Sequence, residues 1–198
     1  MPSASPKMSR RPGSRSPVSD LIRQGDSRWK AERLGDGELS IGKAGCLLCA
    51  ITECANRMGT VSHRDPRELN RMGRTAGAFV GSAAITEKLA RCAGLDCSPR
   101  IDGTPDILSK QVQSRLAMGK MLLLHVDHDS SKPKGDVAAD HWVLAIELNG
   151  ASLVYADPAT GALHMMPVNS LTAESGWPDK RLYRVRGIRQ LSRRPADA

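Results

Sequence analysis

The apolar pattern of this chain changes period at Met121, and that change limits the folds open to it. Before Met121, apolar residues recur at helical spacing in segments stopped by glycine; after it come short apolar runs separated by turn sequences. Met121 to Val126 is a continuous apolar run of strand length. His141 to Leu148 reads as a strand, Asn149-Gly150 as a hairpin turn and Ser152 to Ala156 as the partner strand. Asp157-Pro158-Ala159-Thr160-Gly161 is a further turn, and Ala162 to Pro167 a further short strand. Leu182 to Ile188 alternates apolar and basic residues and reads as an edge strand, where its charges discourage further pairing. Helices first and antiparallel strands after is an α+β pattern.

The helical half has clear punctuation. A helix is expected from Gly45 or Cys46 to Arg57, with Gly59 as its C-terminal stop. Leu47, Leu48, Ile51, Ala55 and Met58 wrap most of its circumference, so it belongs at the centre of the fold. Asp65-Pro66 marks a second start, with aspartate at the N-cap and proline in the first turn; Gly77-Ala78-Phe79 breaks this helix. Thr86 to Ala93 and Ser109 to Met118 are read as two more helices, and Asp127 to Ala139 as a polar loop. Residues 1–20, rich in Ser, Pro and Arg, are expected to be a disordered basic tail, residues 21–188 the folded domain and residues 189–198 a basic C-terminal tail.

The helix that should be most buried also carries chemistry. Gly45 delivers Cys46 to its N-terminus, where the positive end of the helix dipole favours a thiolate. About a hundred residues later His141 opens a strand, and the hairpin that follows ends in Asp157. With a tight turn at Asn149-Gly150, His141 falls opposite about Tyr155 to Asp157. Asp157 would then orient one ring nitrogen and leave the other for Cys46, the arrangement that thiol-based acyl transfer needs. Each residue also has a plainer role open to it: a buried structural thiol, a satisfied strand-end histidine, a turn aspartate before Pro158.

Taken together, Gln24-x-Asp26-x-Arg28-Trp29, Leu34-Gly35, Ile41-Gly42-x-x-Gly45-Cys46, His141-Trp142-Val143 and Asp157-Pro158-Ala159-Thr160-Gly161 resemble the papain-like cysteine peptidases of the C39-like group, over about residues 22–165. The resemblance implies a papain-like fold, with a helical N-terminal part whose central helix bears the cysteine and packs on an antiparallel sheet. It implies Cys46 as nucleophile, His141 as general base and Asp157 as the orienting residue. It further implies a glutamine that helps to hold the oxyanion, and Gln24 matches by its Gln-x-Asp context, 22 positions before Cys46. Ser40 stands six positions before Cys46, where the shorter papain spacing puts that glutamine.

Other chemistries have weaker support. Cys46-x-x-Cys49, Cys92-x4-Cys97 and His125-x-x-His128 carry metal-ligand spacing, but the first pair lies on a helix with Leu47-Leu48 between, unlike a zinc knuckle. A thioredoxin-like centre would need a strand before Cys46, and none is read there. The formal charge of +8 comes from the ends: residues 1–23 carry +4 and residues 180–198 carry +6, which leaves residues 24–179 near −2. Basic tails without interleaved aromatics are a poor nucleic-acid reader. Five cysteines, an odd number, argue against a complete disulfide framework. No secretory h-region and no membrane-length apolar stretch is seen, so synthesis in a cytoplasm is expected, with export or delivery requiring an unrecognised signal. The expected activity is cysteine-dependent amide hydrolysis without metal or organic cofactor, on a protein or peptide. Peptidoglycan peptides, acyl transfer and the role of a delivered bacterial effector suit the same residues.

Overall fold

The computed structural model describes residues 21–60, 65–127, 141–175 and 182–195. The expectations for the tail at 1–20, for most of the loop from Asp127 to Ala139 and for the last residues therefore lie outside it.

A four-residue helix, α1 (Ile41–Ala44), abuts the central helix α2 (Cys46–Met58) across Gly45. A Cβ at Gly45 would lie 2.5 Å from the Ile41 carbonyl oxygen, so only glycine lets the two helices meet this closely. Gly59 closes α2 in the left-handed conformation, its N–H reaching back to the Ala55 and Asn56 carbonyls. Leu48, Cys49, Ala50, Ile51, Cys54 and Ala55 are all at most 1% exposed, as expected of a helix apolar on nearly every side. Around it stand α3 (Pro66–Thr75), α4 (Thr86–Cys92) and two short strands, β1 (Phe79–Val80) and β2 (Ala83–Ala84), which pair with each other. Asp65 caps α3 through the Arg67 N–H at 2.8 Å, with Pro66 in the first turn.

Then come β3 (Leu95–Cys97), β4 (Ile101–Asp102), α5 (Pro105–Ala117), β5 (Met121–Asp127), β6 (His141–Asn149), β7 (Ser152–Asp157), β8 (Ala162–Pro167), β9 (Thr172–Glu174) and β10 (Leu182–Arg193). α5 begins four residues before the expected Ser109, because Thr104 caps it and Pro105 occupies its first position. The second sheet runs β3-β10-β5-β6-β7-β8, with β4 and β9 also paired to β10, and every pairing in it is antiparallel. The α+β expectation holds: a central helix bearing Cys46 packs on an antiparallel sheet. One face of that sheet meets α2 through Leu123, Leu144, Ala156 and Leu191; the other forms a second core with α5 through Leu122, Leu124, Val143, Tyr155 and Tyr183.

Two expectations fail at β10. It is not an edge strand: it lies between β3 and β5, inside the sheet. Nor do residues from 189 onward begin a tail, because the strand continues to Arg193 and Leu191 is fully buried in the core around α2. Arg186, one of the arginines that looked like edge protection, and Arg189 beyond them find partners on other elements instead. Arg186 bonds Asp127 at 2.9 Å, and Arg189 bonds Glu87 and the Ser98 carbonyl. Their charge is thus compatible with an interior strand.

Candidate active site

Cys46 is the first residue of α2, where backbone N–H groups have no acceptor within the helix. Its side chain lies against His141, the first residue of β6, at the end of the sheet next to the helix. Burial opposes ionisation of the thiol. The hydrogen bond and charge of His141, with the backbone N–H groups of Trp142 and Leu47, outweigh burial and hold Cys46 below the ordinary thiol value of 9.0. The other four cysteines go the other way. Burial raises Cys49, Cys92 and Cys97, and pushes Cys54 up to about 12.

His141 Nε2 lies 2.7 Å from Asp157 Oδ1, which leaves Nδ1 for the sulfur. Both side chains are buried, at 4% and 1% exposure. The pairing differs in detail from the expected hairpin. Asn149 pairs with Ser152, so the loop is Gly150-Ala151, one residue later than read from the sequence. A bulge between Ala145 and Glu147 then slides β6 back by one position. Leu144 pairs with Ala156, so His141 projects two residues beyond Asp157 and meets it diagonally, on the same sheet face. Asp157 also serves as the turn residue of the plainer reading: its Oδ1 accepts the Ala159 N–H at 2.9 Å and its carbonyl the Gly161 N–H at 2.8 Å.

Burial alone would push His141 down and Asp157 up. Their mutual bond reverses both: His141 is raised to about 9, helped by Cys46, and Asp157 is held below its ordinary 3.8, helped by the Ala159 N–H and the Tyr183 hydroxyl. All three shifts thus run in the direction that favours an imidazolium between a carboxylate and a thiolate.

Gln24 reaches the same cleft from the N-terminal segment. Its backbone N–H donates to the Pro158 carbonyl at 2.8 Å, and its Nε2 to the Gly42 carbonyl at 3.1 Å. Nearby, Ile22 N–H donates to the buried Glu53 carboxylate, which fixes the start of this segment on α2. Gln24 is 8% exposed and lines the cleft with Cys46, Leu34, Lys43, His141 and Trp142. Ser40, the alternative by spacing, precedes α1 and does not line it. The cleft encloses about 430 Å³, and residues 82–84 around β2 close its far wall. Besides His141 it bears one basic side chain, Lys43, and no carboxylate among the described lining residues.

Sequence reading missed Tyr183. From β10 its hydroxyl donates to Asp157 Oδ2 at 2.8 Å, and its ring centroid lies 5.7 Å from that of His141. The metal-spaced pairs do not converge: among the described residues no three His, Cys, Asp or Glu side chains could share an ion, and His128 lies outside them.

No family model matches the sequence, and no curated protein matches it. Among solved structures, the chain is similar to a double glycine motif protease from an AMS/PCAT transporter, determined in complex with a leader peptide; the alignment covers 83% of this chain and 93% of that one, with 18% identity and a TM-score of 0.44.

Proposed function

We propose that this chain is a papain-like, C39-like cysteine peptidase. One observation carries the reading: a thiol at a helix N-terminus, lowered by a buried histidine that itself bonds a buried aspartate, with the thiol and the histidine opening on one cleft. Cys46 thiolate attacks the carbonyl carbon of an amide and forms a C–S bond. The oxyanion takes the Cys46 backbone N–H and the second N–H of Gln24 Nε2, whose first is held by Gly42. His141 imidazolium gives its proton to the leaving amine, and a thioester remains. Water then attacks the thioester, His141 takes the water's proton, and thiolate is released with the acid product.

The substrate on this reading is a peptide or protein. That the similar protease was solved with a leader peptide is consistent with this reading. The test is mild electrophile labelling across pH with the site assigned by mass spectrometry, followed by turnover of a peptide library. Expected is fast labelling of Cys46 alone below pH 9.0, lost in His141→Ala, and turnover reduced at least 10³-fold in Cys46→Ala. Slow labelling spread over several cysteines, or turnover that survives Cys46→Ala, overturns the proposal.

A further inference from the structure

Asp157 has two carboxylate oxygens, and only one faces His141. Oδ1 is shared between the histidine and the Ala159 N–H, while Oδ2 accepts the Tyr183 hydroxyl. At 1% exposure Asp157 has little access to water that could replace a lost donor. Tyr183 is itself fully buried and sits on β10, whose next inward residue, Val185, pairs with Val126, which pairs with His141. One row of the sheet thus locks the tyrosine beside the histidine, and the ring contact at 5.7 Å reflects it.

We propose that Tyr183 is a positioning residue for the Cys46–His141 pair: it anchors Asp157 through Oδ2 so that Oδ1 stays aimed at the imidazole. This rests on the proposed peptidase reading only for its effect on turnover. Without the hydroxyl, the carboxylate would turn towards another donor, His141 would lose its orienting bond, and the imidazolium would be less favoured. Around the Tyr183 hydroxyl the titratable groups include Asp157 and His141, with Tyr155 at 6.4 Å ring to ring and His164 beyond it, tilted against Tyr155.

The molecule supplies its own control. The chain has two tyrosines, and the second, Tyr155, is equally buried on the same face, but its hydroxyl has no hydrogen-bond partner among the described residues. Tyr155→Phe therefore removes a hydroxyl from the same core without removing a bond. Tyr183→Phe is expected to lower kcat by about ten- to a hundredfold with KM little changed, and to move the alkaline limb of the pH profile to lower pH; Tyr155→Phe should do neither. A second measurement needs neither substrate nor a folded Tyr183 variant. In Tyr155→Phe protein grown on tyrosine isotope-labelled at the hydroxyl-bearing ring carbon, Tyr183 gives the sole signal. That resonance should shift as His141 titrates near pH 9, and the step should vanish in His141→Ala. A resonance indifferent to His141, or equal effects of the two phenylalanine variants, overturns the positioning role. If turnover is absent in the parent protein but the resonance follows His141, the peptidase reading fails and the anchor stands.

Discussion

At the scale of single residues, opposite shifts on neighbouring groups set the pH behaviour. Cys46 is lowered and His141 is raised to about 9, so the thiolate–imidazolium pair exists between them. Activity is expected to rise with pH as Cys46 ionises and to fall near pH 9 as His141 loses its proton, a profile that kcat/KM against pH reads directly. In Cys46→Ala two of the influences that raise His141 disappear, so NMR titration should find that histidine below about 9. Stability follows the same signs. The contribution of His141 is complete below its ordinary 6.5 and is lost as pH rises through about 9, whereas that of Asp157 is present above 3.8 and lost as pH falls through its lowered value. Cys46, His141 and Asp157 stood out in the sequence because each sits in a local context that needs explaining: a glycine before a helix, a histidine opening an apolar strand, a turn aspartate. Tyr183 had no such mark. In an alternating strand, a tyrosine looks the same whether its hydroxyl meets water or a buried carboxylate.

At the scale of elements, what was legible was what is local. The caps of α2 and α3 are spelled by single residues, Gly59 and Asp65, and both act as read. Asp65→Ala should cost about 1 kcal/mol in thermal or denaturant unfolding by freeing the Arg67 N–H, with labelling of Cys46 unchanged, since α3 does not line the cleft. The bulge in β6 was illegible because nothing between Ala145 and Glu147 departs from strand composition. The two- and three-residue strands β1 to β4 and β9 are too short to show a period, so their pairing partners alone define them. The place of β10 was misread for a related reason: alternating charge reports that one face is polar, and says nothing of how many neighbours a strand has.

At the scale of the molecule, β10 joins what the rest of the chain leaves open, pairing with β3, β4, β5 and β9. A chain ended after Ile188 loses Leu191, the Arg189–Glu87 pair and the pairing to β3; it should unfold several degrees or more below a chain ended at Pro195, by about 2–5 kcal/mol for the buried leucine alone, as a thermal melt would show. The position of that strand also orders events in time. A ribosome delivers β10 after every other described strand, yet the sheet has a gap until it arrives, and the anchor of Asp157 arrives with it. Contacts this distant in sequence close slowly. Until β10 is made, Asp157 therefore lacks the Tyr183 hydroxyl and the sheet lacks the strand that closes it, an order that comes from strand position alone.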